Sequence, residues 1–260
     1  MKFIEPKVFL VAETKTTEGM QDYLDYVDAG EWKSDAKSDV ELLPEFMGRI
    51  CYRSWKPGLN ANVTKVRDGN KEYLENIINV AHGSVTEHSW VSFVFADVSR
   101  VFTHELVRHR VGVAISQESL RYVRLDNLKI WMPTIFQQHG EVARRARQLI
   151  MQMEDFQRFV SEYFNLDHPD VKFDLKKEVT SAARRFAGMG IGTGIGWSAD
   201  IRTIRHVLEV RTSPHAEEEI RIVFGKVGFL MMQKYPNLFN DYEVELVKGH
   251  PYFKTRNSKI

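Results

Sequence analysis

The sequence predicts an α+β fold: a central mixed or antiparallel sheet wrapped by helices. Two observations point there. Segments with apolar residues at helical spacing take up most of the chain,. The strand-like runs are few and scattered, not alternating with helices as in a βαβ series,. No internal repeat, low-complexity linker or clear boundary divides the sequence, so residues 1–260 read as a single domain ending in a short polar tail,.

Residues 7–13, KVFLVAE, suit a first strand,. A helix is expected over 17–29, with Met20, Tyr23, Leu24 and Val27 on one side and Gly30 as its stop,. Residues 31–38 read as a loop and 41–53 as a helix whose apolar side includes Cys51, taken as core packing,. The next helix, 63–81, buries Tyr73, Ile77, Ile78 and Val80. HGSVTEH (82–88) leads into the strand SWVSFVF, and Asp97 is the expected N-cap of a helix over 98–109,. Residues 111–116 read as a small apolar loop, and 119–125 and 129–132 as strand pieces ending at Pro133. A long amphipathic helix spans 140–164, followed by a helix over 171–186. GMGIGTGIG (188–196) carries glycine at every second position. It follows a helix and lacks the Lys-Ser/Thr of a P-loop, which favours a flexible or tightly packed backbone over a phosphate loop. Helices over 199–210 and 215–235 follow, and the segment from about Asn237 is polar.

At 43% hydrophobic and 27% charged the chain has the composition of a soluble globular protein,. A net charge of +1 gives no global field toward nucleic acid or membrane,. No run approaches the roughly 20 apolar residues of a membrane helix. The single cysteine excludes an intramolecular disulfide and a cysteine-built zinc site, and fits a cytoplasmic location,.

Positive charge is instead local. Arg108, Arg110, Arg121 and Arg124 crowd together with His104 and His109, and DIRTIRHVLEVRTSPH (200–215) adds Arg202, Arg205, His206, Arg211 and His215. Guanidinium forks match phosphate and carboxylate oxygens. Two readings remain: an anion site for phosphorylated ligands, or helix faces whose arginines pair with local acids. On a continuous helix Arg202 and His206 share a face, and Arg211 falls near the opposite one. No Ser-His-Asp order or metal-binding helix motif appears. Cations and hydrogen-bond donors of this kind bind anions and leave difficult chemistry to a cofactor.

These residues resemble the flavin-dependent thymidylate synthases, the ThyX family. The signature is Arg-His-Arg, a spacer, Ser, and then Arg-Tyr, here Arg108-His109-Arg110, Ser119 and Arg121-Tyr122. HGSVTEH is similar to the family's upstream His and Glu-His block. Arg184, Arg202, His206 and Arg211-Thr-Ser-Pro-His215-Ala match downstream, and ICYRS around Cys51 is similar to the family's N-terminal helix. The departures are a spacer of eight residues, one longer than usual, Glu105 in place of Gln, and Glu217-Glu218 within the family's Ala-Gln-Trp-Glu-Ile. Ala187-Gly188 replaces Leu-Pro, and Asp200 replaces Asn.

The resemblance implies a ThyX-like homotetramer with active sites shared between subunits. It implies FAD held by Ser84, Arg108, His109, Arg110, Asp200, Arg202 and His206, and dUMP held by Glu105, Arg108, Gln117, Glu118, Ser119, Leu120, Arg121, Arg184 and Arg211. Arg211 and His82 carry the catalytic roles, with His82 beside flavin and folate. The implied reaction converts dUMP to dTMP with 5,10-methylenetetrahydrofolate and NADPH, without an enzyme nucleophile. The departures keep two alternatives open: a flavoenzyme acting on another pyrimidine nucleotide such as UMP, and a non-catalytic nucleotide- or flavin-binding homologue.

Overall fold

The computed structural model describes residues 1–121, 125 and 127–258. The elements in order are β1 (Lys2–Phe3), β2 (Lys7–Glu13), α1 (Gly19–Tyr26), α2 (Asp39–Tyr52), α3 (Asn70–Asn79), a 3-10 turn (Gly83–His88), β3 (Trp90–Ser99) and α4 (Arg100–Leu106). Then come β4 (Val113–Gln117), β5 (Lys129–Ile130), α5 (Thr134–Gln137), α6 (Gly140–Tyr163), α7 (Phe173–Ala183) and a 3-10 turn (Arg184–Phe186). The remainder is β6 (Gly192–Asp200), α8 (Ile201–Thr212), α9 (Glu218–Lys234), α10 (Pro236–Phe239), β7 (Glu243–Val247) and β8 (His250–Lys254). The fold is α+β as expected, with strand order β2-β3-β6-β4, a parallel β1-β5 pair and an antiparallel β7-β8 hairpin.

The chain forms two compact units. The first holds 1–8, 94–108 and 115–196; the second holds 9–93, 109–114 and 197–260. In the first, Leu120, Leu128, Ile130, Met132, Ile150 and Ile191 form a buried cluster under the inner stripe of α6. In the second, Leu24, Ala29, Phe46 and Trp55 close one cluster. There too Trp197 meets Phe224 edge-on at 5.6 Å, and α8 packs on α9.

Several element bounds depart from local spacing, and in each case a specific backbone feature decides. The helix expected over 63–81 starts only at Asn70. Gly69 lies in the left-handed region (φ 89°) and Asp35, distant in sequence, accepts the Asn70 N–H at 2.6 Å,. Tyr73, Ile77 and Ile78 are buried there, but Val80 is exposed past the helix end. Cys51 is exposed, not packed in the core, and its thiol lies 3.6 Å from the Met47 carbonyl. Asp97 is not a cap: it sits inside β3 at φ 55°, and Ser99 caps α4 by accepting the Phe102 N–H at 3.2 Å. Residues 113–117, expected within a loop, are a strand. Of the strand expected over 119–125, Leu120 and Arg121 form a turn, and Ser119 and Leu125 lie in no strand. Tyr122, Val123 and Arg124 lie outside the described residues.

The alternating glycines run into strand β6. A Cβ on Gly192 would lie 2.4 Å from Ile4 Cδ1, so tight packing accounts for that glycine,. α8 begins after Asp200 and α9 after Glu217, each an N-cap, which moves both helices later than expected,. The segment from Asn237, expected as a polar tail, buries Leu238, Phe239, Tyr242 and Phe253. Phe253 lies against Gly228, where a Cβ would come within 2.4 Å of its ring. Among the described residues no helix is long and apolar enough to cross a membrane.

Candidate active site

The expected site residues divide between the two units at the Arg108–His109 peptide bond. In the second unit α8 organises them. Its N-cap is Asp200, whose Oδ1 accepts the Thr203 N–H at 2.7 Å. The carboxylate is buried, and burial lifts its pKa above the ordinary aspartate range despite the hydrogen bonds from Thr203,. The chain just beyond the Arg-His-Arg motif is tied to this cap. The Asp200 N–H donates to the Gly112 carbonyl at 3.1 Å, and Thr203 Oγ1 donates to the Val111 carbonyl at 3.2 Å. Gly112 has φ 65°, and a Cβ there would fall 2.0 Å from Asp200 Oδ2 and 2.2 Å from Thr203 Oγ1. Only glycine allows this approach.

At the far end of α8, Arg211 Nε donates to His109 Nε2 at 2.7 Å. His206 stands beside the same imidazole, ring centroids 6.2 Å apart and nearly perpendicular. Burial, then Arg211 and His206, push the His109 pKa down to about 4, so the ring is neutral near pH 7,. As its Nε2 accepts from Arg211, the remaining proton is on Nδ1. Arg211 and His206 thus meet at one ring, although Arg211 was expected near the face opposite Arg202. At the helix start, Arg202 pairs with Glu87 from the Gly83–His88 turn, both partly exposed. Ser84 lies exposed on that turn, and His82, just before it, is exposed and stacks at 12° on Tyr52, centroids 6.2 Å apart. Arg110 is exposed.

Arg205, grouped with these arginines in the sequence, is a structural residue. It is 1% exposed, its NH1 and NH2 donate to the two Asp241 oxygens at 2.8 and 2.7 Å, and Tyr242 stacks on it at 4.9 Å.

The first unit holds the other set. Arg108 is exposed after α4 and Glu105 is half-buried on it. Gln117, at the end of β4, donates from Nε2 to Thr103 Oγ1 at 2.9 Å, which fixes its amide. Glu118 extends the β4–β6 contact: its N–H donates to the Gly194 carbonyl at 2.9 Å, while its Oε2 accepts from Gly194 N–H at 3.1 Å. Ser119 Oγ accepts the Arg121 N–H at 3.4 Å, and the Arg121 side chain is exposed. Leu120 is buried in the core cluster, so its side chain is not open to a ligand. Arg184 is half-buried in its 3-10 turn. Burial and the positive charge of Arg184 depress the pKa of Arg100 at the start of α4. Arg100, Thr103 and Tyr52 escaped the sequence reading. Thr103 carries no motif of its own, and Tyr52 was visible only as part of ICYRS.

The family described as "Thymidylate synthase complementing protein" matches residues 34–237. A flavin-dependent thymidylate synthase of Corynebacterium glutamicum is 32% identical over 83% of this chain and 84% of its own. One of Mycobacterium marinum is 33% identical over 82% and 83%. Among solved structures, a UMP/dUMP methylase PolB from Streptomyces cacaoi bound with 5-Br UMP superposes with a TM-score of 0.65 at 15% identity, over 92% of this chain and 95% of that one. Thymidylate Synthase X from Helicobacter pylori with FAD and dUMP gives 0.57 at 18% identity, over 91% and 98%. At these identities the two structures share the fold. The family match and the relatives together place the chain in the flavin-dependent thymidylate synthase family of enzymes.

Proposed function

We propose that residues 1–260 form one catalytic domain that converts dUMP to dTMP, with FAD as cofactor, 5,10-methylenetetrahydrofolate as one-carbon donor and NADPH as reductant. The observation that carries this reading is the Arg211–His109 pair, a guanidinium aimed by a neutral imidazole and contributed by two of the family's motif segments.

The donor set of the second unit suits FAD. His109, Arg110, Arg202 and His206 offer N–H groups to an anionic diphosphate, and Ser84 adds a hydroxyl; Asp200 keeps the helix end in place by capping it,. Bound flavin would supply the hydride. Arg108 belongs to both expected sets. Glu105, Gln117, Glu118, Ser119, Arg121 and Arg184, with the Leu120 backbone, hold the nucleotide, the arginines facing its phosphate. Arg211 stabilises negative charge on the pyrimidine as C5 becomes nucleophilic. Neutral His109 keeps the guanidinium oriented without repelling it, and His82 lies beside the folate. The chain assembles as a homotetramer in this reading; on α6, Val142, Leu149, Phe156 and Tyr163 recur every seventh residue and are all exposed, an apolar stripe that suits contact with another copy,.

The test is the visible spectrum of purified protein, followed by tritium release from C5-labelled dUMP with 5,10-methylenetetrahydrofolate and NADPH. Flavin absorbance and release are expected, and Arg211→Ala is expected to slow release by about 10²–10³. Protein that takes up no FAD and releases no tritium would overturn the reading, and would favour the non-catalytic homologue. A second reading, methylation of UMP, is favoured by Glu105 and by the longer spacer, which forms β4. Steady-state turnover of UMP exceeding that of dUMP would select it.

A further inference from the structure

The first unit contains a cavity of about 350 Å³ that none of the proposed flavin or nucleotide residues lines. Its walls are Phe3, Ile4, Glu5, Met132, Gln137, Ala143 and Arg147. Two backbone hydrogen bonds hold the β1 side: Lys2 N–H to the Leu128 carbonyl at 2.8 Å and Ile4 N–H to the Ile130 carbonyl at 3.1 Å. Ile4, Met132 and Ala143 are buried and form an apolar floor. This volume lies at the small end of the range for ligand pockets, about 300–1,000 Å³.

The polar groups are arranged in an uneven way. On α6, Arg144 and Arg145 both bind Glu141 at 2.8 Å. Arg147 has no carboxylate partner among the described residues, and its guanidinium lies over the Phe3 ring at 5.3 Å. Glu5 has no cationic partner among the described residues either, and it is exposed at the same cavity. Gln137 donates from Nε2 to the Met132 carbonyl at 2.7 Å, which turns the amide and leaves its Oε1 as an acceptor,. The cavity therefore offers a planar cationic fork, a carboxylate with a second acceptor, and an apolar floor.

We infer that this cavity binds a small apolar α-amino acid as its zwitterion. The ligand carboxylate meets Arg147, its ammonium meets Glu5 and Gln137 Oε1, and its side chain covers Ile4, Met132 and Ala143. A phosphate ester would face Glu5, and an uncharged ligand would leave both charged groups without partners. This site is independent of the proposed reaction.

Calorimetric titration of the full chain with L-leucine and L-phenylalanine tests it, beside 4-methylpentanoate, which lacks the ammonium, and isoamylamine, which lacks the carboxylate. One of the amino acids is expected to bind, with either truncated probe at least about tenfold weaker. Arg147→Ala should remove the advantage over the amine, and Glu5→Gln the advantage over the acid. Ala143→Phe should fill the floor and abolish binding, with a cooperative thermal transition showing that the variant is folded. Absence of binding by both amino acids, equal binding of the acid alone, or unchanged binding to folded Ala143→Phe would each overturn the inference.

Discussion

Arg202 and Arg205 stand one turn apart on α8, in opposite surroundings. Arg205 is enclosed by Asp241, the Leu238 carbonyl and the Tyr242 ring. Arg202 lies at the surface against Glu87, with 41% of its side chain exposed. One arginine holds the C-terminal segment to the helix. The other has a partner that a ligand anion can displace at little cost. The residue type is the same; burial and the number of partners separate the two.

The largest effect that would break this contrast is in Arg205→Ala, which strands Asp241. Breaking a buried ion pair costs about 3–5 kcal/mol, read by chemical denaturation. Burial raises the Asp241 carboxyl, but the Arg205 guanidinium together with hydrogen bonds from Thr255 and Asn257 more than offsets this and holds it below the ordinary aspartate range. A depressed carboxylate contributes stability that is complete above its unfolded value, near pH 4, and is lost as pH falls through the lower folded value. Asp241→Asn should flatten that acid limb.

Gly112→Ala comes next. Its Cβ would collide with Asp200 Oδ2 and Thr203 Oγ1 at a positive φ, for a cost of about 1–3 kcal/mol,. FAD affinity should fall with it, because the neighbouring Arg110 and His109 lose their anchor. A smaller effect is expected at mild acidity. His109 titrates near 4 when folded against 6.5 as its reference, so the unfolded chain binds the extra proton between those values,. Stability therefore declines as pH falls from about 6.5 toward 4, and His109→Gln should remove that part of the slope in urea melts. Smallest in stability is Arg202→Ala, about 0.2–1 kcal/mol for an exposed pair. Its sharpening value lies elsewhere: FAD affinity, measured by flavin fluorescence, should drop while the melting temperature holds. Equal losses in both would erase the contrast with Arg205.

The legible parts of the sequence were those whose cause is local. The long helix α6 follows from its periodicity and ends where expected, within a residue. Arg108–Arg110, Arg202–His206 and Arg211 were visible as motif residues, and His109, His206 and Arg211 do meet. The illegible parts have distant causes. Nothing near Val63 announces that Asp35 will cap Asn70. Ser99 and Asp97 are both good caps by type, and the continuation of β3 decides between them. The polar look of residues 237–258 comes from Asn237, Asn240, Asp241, Lys248 and the run from Lys254 to Ser258, while single residues such as Phe253 seal against Gly228. Arg205 looked like its functional neighbours because its acid partner lies 36 residues away.

The cap at the start of α8 has an evolutionary consequence. Asp and Asn serve about equally well as N-caps, so the helix tolerates either at position 200. The capping hydrogen bond alone therefore does not dictate the charge at this position. A lineage can thus change the electrostatic setting of the neighbouring cations by a single codon step while keeping the helix cap.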